Sequence, residues 1–207
     1  QVITDSSEVE KALENAGQTT TTTSGDSVST VYDVSAVAEA AMPSLVSITN
    51  MGEQEIQSFF GTYTQASESS GTGIIIGKND DELLIATNNH VVEGSEQLNV
   101  CFIDTEIVSA LVKGTDATND LAVIAVSLSD IPEDTLNKIS IAQLGDSESL
   151  KIGEPVIAIG NALGYGQSVT TGVISALDRE VTIENMTSSL IQTDAAINPG
   201  NSAGAHL

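Results

Sequence analysis

The chain has 207 residues, 40% of them hydrophobic, so it is long enough to bury a sizeable core. Six basic against 29 acidic residues give a formal net charge of −23, which would repel a phosphate backbone and makes nucleic acid a poor partner. One cysteine and two histidines exclude an intrachain disulfide and argue against a cysteine or histidine metal centre, so we predict no metal and no cofactor.

Residues 1–32 are predicted to be a low-complexity linker or tether. The polar run Thr19–Thr23 and the scarcity of apolar residues leave too little surface to bury for independent folding. No apolar run approaches the about 18 residues that a membrane span needs. The chain begins with Gln1 rather than Met, so we expect that it has been trimmed and that an export signal or membrane anchor preceded the tether.

The next segment combines a helical and an extended pattern. Apolar residues at helical spacing over Val34–Ala41 predict a short helix that Pro43 ends. Residues 44–50 alternate as a strand. Residues 51–70 show no clear periodicity, and we predict a long loop there.

From Gly71 onward, short apolar runs about 8 to 12 residues apart alternate with turn residues. No amphipathic helix is interleaved with them, which favours an all-β fold of antiparallel strands, as a sandwich or barrels, over an α/β sheet. The polar, proline-containing stretch 127–137 is predicted to separate two halves. We therefore divide the folded part into 33–135 and 136–207, with the second half shorter.

A candidate nucleophile, Ser202, follows a predicted turn near the end of the chain. The sequence Asn198–Gly200 is typical of a turn, because proline presets one dihedral angle and glycine accepts a positive φ. Such a turn can aim the backbone N–H groups of Gly200 and Ser202 at one point, as an oxyanion hole requires. An ordinary surface turn is the alternative interpretation.

A nucleophilic serine needs a base and an acid that orients the base. His90, at the rim after a predicted strand, and His206, just after Ser202, are the two candidate bases. Asp120 directly precedes an apolar strand, so we expect its carboxylate at a core edge, dry and ionised. Asp116, earlier in the same loop, is the competing acid.

Several sequence blocks resemble the trypsin-like HtrA/Deg family of serine endopeptidases in their order and approximate spacing. The blocks span about Asp33–Ser202 and read TNNHVV, NDLAVIAV, GNALG followed by GVISALDREV, and QTDAAINPGNS. The resemblance implies a trypsin/chymotrypsin-like pair of antiparallel β-barrels with a short N-terminal helix and a cleft between the barrels. In this chain the second barrel is expected to be incomplete.

The resemblance also implies the site residues. His90 is implied to be the general base and then acid, Asp120 its orienting carboxylate, and Ser202 the nucleophile. The oxyanion hole is implied at Gly200, Asn201 and Ser202. His90 and Asp120 then belong to the first barrel, and Ser202 to the second.

The implied substrate pocket carries small apolar residues, Ala196 and Ile197. Because neither can neutralise a lysine or arginine side chain, we predict cleavage after small or medium aliphatic residues of unfolded polypeptide. The resemblance further implies a bacterial homotrimer, held by residues near the start of the domain and acting in protein quality control in the cell envelope. We predict an extracytoplasmic protein, membrane-anchored in its full-length form.

The sequence departs from the family pattern in three respects, of which Ala203 and the missing strands after the serine favour an alternative function. Ala203 stands where the family has a second glycine, and His206 stands where it has an apolar residue. The family's strands after the serine are also missing, so we expect little or no activity from these 207 residues alone. The alternative is a non-catalytic module, pseudoprotease or chaperone-like, that binds unfolded chains without cutting them.

Overall fold

A computed structural model describes residues 20–21, 30–31, 34–58, 61–160, 168–183, 186–197 and 205–206. Its strands are β1 (Thr20–Thr21), β2 (Thr30–Val31), β3 (Leu45–Ser58), β4 (Gly61–Lys78), β5 (Glu82–Thr87), β6 (Ser95–Cys101), β7 (Ile107–Asp116), β8 (Leu121–Ser127), β9 (Pro155–Gly160), β10 (Ser168–Ile183), β11 (Met186–Thr193) and β12 (Ala205–His206). Its α-helices are α1 (Ser35–Ala41), α2 (Asn89–Val92) and α3 (Glu133–Leu136), and 3₁₀ turns lie at Met42–Ser44, Leu128–Asp130 and Ser147–Ser149.

Two antiparallel sheets make up most of the described structure. The first is a closed barrel of order β3-β4-β5-β8-β7-β6, in which β6 pairs back onto β3. The second is an open sheet of order β11-β10-β9-β12 as far as the structure describes it. The predicted all-β fold class, with a short N-terminal helix, one closed barrel and a second, incomplete one, is confirmed.

The barrel interior is filled mainly by aliphatic side chains, with Phe102 as its one buried aromatic residue among those described. In β5, alternate residues point inward, and Leu83 and Ile85 are 2% and 0% exposed. Val100 of β6 and Ile124 of β8 meet them at 0% exposure. The period-2 pattern of these strands therefore builds the core, because one face of each strand turns away from water.

Strand β3 is buried on both faces where it begins. Val46 and Ile48 belong to the barrel core, whereas Leu45 packs with Val37 of α1 and Ile159 of β9. The predicted helix is confirmed at Ser35–Ala41, ahead of the 3₁₀ turn that contains Pro43. The start of β3 is thus shared by the barrel core and by a second core under α1.

The predicted long loop over residues 51–70 is wrong. Strands β3 and β4 stay paired from Leu45 opposite Ile74 out to Ser58 opposite Gly61, so the segment is a long hairpin that continues the barrel strands. Side-chain periodicity reports burial of one face, whereas an antiparallel ladder joins backbone N–H and C=O groups and needs no apolar alternation. The absence of periodicity therefore did not exclude strands over this segment.

Most of residues 1–32 lie outside the described residues. The exceptions are Thr20–Thr21 and Thr30–Val31, which pair with each other as β1 and β2. The linker or tether stays a prediction. Of the helices described, none is both long enough and apolar enough to cross a membrane.

Candidate active site

His90 is carried by α2, a single turn of four residues that follows β5. Thr87, the last residue of β5, is buried, and its Oγ1 donates a hydrogen bond to the Thr72 carbonyl at 2.8 Å. Val91 and Val92 are 0% and 3% exposed and anchor the turn in the core. The side chain of His90, 54% exposed, therefore points outward from a turn held by its neighbours.

Asp120 contacts His90 through both carboxylate oxygens. Its Oδ2 lies 2.7 Å from His90 Nδ1, and its Oδ1 accepts the backbone N–H of His90 at 2.9 Å. The Asp120 carbonyl accepts Asn88 Nδ2 at 2.8 Å and the Asn89 N–H at 3.2 Å. Four contacts thus join the turn before β8 to the turn that carries the imidazole.

This arrangement suits proton transfer. An ionised carboxylate only accepts hydrogen bonds, so the ring nitrogen facing Asp120, Nδ1, carries the proton of neutral His90. The other ring nitrogen, Nε2, is then a proton acceptor on the outer side of the ring. The pair has the chemistry of a general base and the group that orients it.

The expectation that Asp120 is dry is wrong, because 46% of its side chain is exposed. Asp120 lies in the turn directly ahead of β8, as predicted, and its φ is +53°. The barrel core begins with the next strand residues, such as Ala122 at 2% exposure. The carboxylate therefore sits above the end of the barrel.

Asp116, the competing candidate acid, accepts hydrogen bonds from residues of its own turn. Its Oδ1 accepts the N–H groups of Thr118 and Asn119 at 3.0 and 3.2 Å, and its Oδ2 accepts Asn119 Nδ2. The hydrogen bond from the Asn119 side chain, and then those from the backbone, hold the pKa of Asp116 below its usual value. Asp116 shapes the turn that presents Asp120 to His90.

Sequence analysis did not single out Asn88. It occupies the position before α2 where a short polar side chain usually caps a helix, but it makes no such bond and reaches the Asp120 carbonyl instead. The signal available in the sequence is the pair of asparagines directly before His90.

The segment Thr193–Ile197 is fastened to β10 by side-chain hydrogen bonds. Asp194 Oδ1 accepts the N–H of Val173 at 2.7 Å, and Thr170 Oγ1 donates to the Ala196 carbonyl at 2.9 Å. Thr193 Oγ1 donates to the Val173 carbonyl at 2.9 Å. These bonds set the path of the chain just before the predicted serine turn.

The two predicted pocket residues, Ala196 and Ile197, are both exposed, with Ile197 at 51%. The predicted nucleophile Ser202 and the predicted oxyanion residues Gly200 and Asn201 lie outside the described residues, as does Ala203. All their roles stay predictions. The second histidine, His206, pairs through its backbone with Ala158 of β9.

No group of three or more His, Cys, Asp or Glu side chains is arranged to hold a metal ion in the part of the chain that the structure describes. Cys101 is half-buried. Burial, followed by the negative charges of Asp104 and Glu106, raises the pKa of its thiol. A protonated thiol is a poor nucleophile, so Cys101 is not a competing candidate for the nucleophile that His90 would activate.

Comparisons with known proteins show which family the chain resembles. A family described as "Trypsin-like peptidase domain" matches residues 71–207. The chain is similar to "Serine protease Do-like HtrA" of Bacillus subtilis (strain 168), 40% identical over 185 residues that cover 84% of this chain and 40% of that protein. It is also similar to "Probable periplasmic serine endoprotease DegP-like" of Hahella chejuensis (strain KCTC 2396), 41% identical over 140 residues, or 68% of this chain and 27% of that protein.

Among solved structures, "HtrA-type protease AlgWS227A with decapeptide" matches 82% of this chain and 53% of its own, with 34% identity and a TM-score of 0.69. The chain spans less than two thirds of the length of each of these three proteins.

Proposed function

The chain belongs to the trypsin-like peptidase family, in its HtrA/Deg group, and on this premise we propose that it is the catalytic part of a serine endopeptidase acting on unfolded polypeptide. The observation that carries the proposal is the contact between His90 and Asp120, 2.7 Å from Nδ1 to Oδ2 with a second bond to the His90 N–H. Nucleophilic serine catalysis requires a base whose ring is oriented by an acid, and this contact supplies that orientation.

In the proposed mechanism, His90 Nε2 takes the proton of Ser202 Oγ while that oxygen attacks the scissile carbonyl carbon. Asp120 holds the resulting imidazolium, and N–H groups of the Gly200–Ser202 turn stabilise the oxyanion. His90 then gives its proton to the leaving amine as the peptide C–N bond breaks. A water molecule, deprotonated by His90, hydrolyses the acyl-enzyme and restores Ser202.

We propose that Ala196 and Ile197 line the pocket for the residue before the scissile bond, which favours small or medium aliphatic residues. Their exposure supports an accessible pocket. The decapeptide named with the HtrA-type structure supports polypeptide as the substrate class. The periplasmic name of one relative supports an extracytoplasmic location. We further propose a homotrimer that contacts through the 33–50 region and the hairpin after it, and a tether formed by residues 1–32.

The test is proteolysis of casein and labelling by a fluorophosphonate probe, in the intact protein and in Ser202→Ala. The matched control is Ser109→Ala, an exposed serine of β7. We expect cleavage and labelling to persist in Ser109→Ala and to vanish in Ser202→Ala. If the folded parent is neither labelled nor active, the endopeptidase proposal fails, and the module that binds without cutting becomes the better explanation.

A further inference from the structure

The turn that carries His90 rests on two neighbouring strands of the β3–β4 hairpin. Asn50 Nδ2 donates to the carbonyl oxygens of Val91 and Glu93, both at 3.0 Å. Ser69, directly opposite Asn50 in the hairpin, donates its Oγ to the same Val91 carbonyl at 3.3 Å. Three hydrogen bonds therefore reach the C-terminal end of α2 from one pair of strand positions.

Two glycines beside these residues let the turn approach closely. A Cβ added at Gly71 would lie 2.6 Å from Val91 Cγ2, and one added at Gly52 would lie 2.4 Å from the Gly94 carbonyl oxygen. The contact at Gly71 would push α2 away from the hairpin, and the contact at Gly52 would displace the chain two residues after α2.

Asn50 is an unusual residue for its position, since it is only 4% exposed in a strand next to the barrel core. Its Oδ1 is buried and has no hydrogen-bond partner among the described residues. A buried acceptor left unpaired is unfavourable, so the side chain needs a compensating role. The role visible in the structure is to donate two hydrogen bonds from its side-chain amide.

These two hydrogen bonds pair carbonyls at the C-terminal end of α2. A helix of one turn has terminal carbonyls that it cannot pair within itself and is too short to be stable alone. The Asn50 amide satisfies two of these carbonyls, one on each side of Val92. It therefore fixes where the turn ends, while Asp120 fixes where His90 points.

We infer that Asn50 is a positioning residue of the proposed peptidase, which holds the His90 imidazole in register with Asp120 through the Val91 and Glu93 carbonyls. The inference rests on the proposed function and deepens it. Asn50 acts through the backbone behind His90 and would touch neither substrate nor the reacting atoms.

The decisive variant is Asn50→Ala in the intact protein. We expect kcat to fall by about 10- to 100-fold, because a small displacement of the base is costly in the transition state. KM should change by less than about twofold, because ground-state binding is untouched. In proton NMR, the low-field resonance of the His90 Nδ1–H bonded to Asp120, assigned by its absence in His90→Gln, should shift or disappear.

The matched control is Val126→Ala, which opens the barrel core at the far end of β8 from Asp120. It should lower stability while keeping kcat and the His90 resonance. Two milder variants cover the case that Asn50→Ala does not fold. Asn50→Ser keeps one donor, so its kcat and its His90 resonance should lie between those of the parent and those expected of Asn50→Ala. Ser69→Ala should change both in the same direction as Asn50→Ala, but by less.

If the folded Asn50 variants keep the resonance and match Val126→Ala in kcat, Asn50 is merely structural and the inference is overturned. If the parent shows the resonance but no turnover, the proposed function fails separately. The resonance of the variants then decides whether Asn50 positions His90.

Discussion

The first barrel is closed, whereas the second sheet is open as far as it is described. In the barrel every strand pairs on both sides around one continuous core of mainly aliphatic side chains. In the second sheet, as far as it is described, β11 and β12 lie at the edges, and its own cluster is small: Val156, Ala158, Ile174 and Ala195. Leu190 and Ile191 of β11 stay 47% and 45% exposed.

The two regions also hold the segments of the proposed site differently. The barrel holds His90 and Asp120 on turns seated at the end of a closed core. The second sheet holds Thr193–Ile197 by individual hydrogen bonds to β10. We therefore expect damage to the barrel core to appear mainly as lost stability, and damage to the second sheet to appear in activity of protein that is still folded.

The largest effect is expected from Asp120→Asn. The amide cannot hold the imidazolium and favours the wrong tautomer, so kcat should fall by about 10,000-fold. Stability should change little, because asparagine also tolerates a positive φ. Casein cleavage and thermal unfolding measure the two effects. The control is Asp178→Asn in β10, whose φ is +52°. Equal activity in both variants would contradict the role of Asp120.

Ile85→Ala tests the barrel core. The side chain is 0% exposed, and its removal should lower the free energy of unfolding by about 2–5 kcal/mol, measured by urea denaturation. Ile107→Ala, at a site 63% exposed, should stay within about 0.5 kcal/mol. The activity per folded molecule should survive in both. A loss of activity in fully folded Ile85→Ala would contradict the expectation that damage to the barrel core appears mainly as lost stability.

Gly172→Ala tests the second sheet. A Cβ there would lie 2.3 Å from the Ala195 nitrogen and 2.4 Å from Asp194 Oδ1, so the Thr193–Ile197 segment must shift. We expect a loss of about 1–3 kcal/mol and reduced cleavage, with the His90 NMR resonance unchanged. Gly114→Ala in β7, where a Cβ meets nothing within 4 Å, is the control. A changed resonance would show that the two regions are coupled.

The smallest effect is expected from the titration of Asp116. Its pKa is lowered in the folded state, so its ionised form contributes stability above the unfolded pKa, and this contribution is lost as pH falls through the folded value. The urea midpoint of the parent should therefore drop more on acidification than that of Asp116→Asn. Parallel pH curves would show that the Asp116 turn does not contribute.

The sequence pattern was sufficient to predict the antiparallel sheets, because turn-separated apolar runs mark one-sided burial. The His90–Asp120 pair came from the family resemblance, since the residues alone left two histidines and two aspartates as candidates. The β3–β4 hairpin was missed because backbone pairing by itself leaves no side-chain pattern. Asn50 was missed because a polar residue at the end of an apolar run resembles a strand terminus, and its partners lie about forty residues away in the chain.

The left-handed backbone of Asp120 restricts which residues can take its place. At φ +53° a β-carbon is disfavoured by about 1 kcal/mol, and glycine is the residue that fits without strain. Asp120→Gly would therefore relieve the backbone but remove the carboxylate that bonds to His90 at two points. Aspartate combines a carboxylate with a tolerance of this angle, so the position accepts a small backbone cost in exchange for an oriented imidazole.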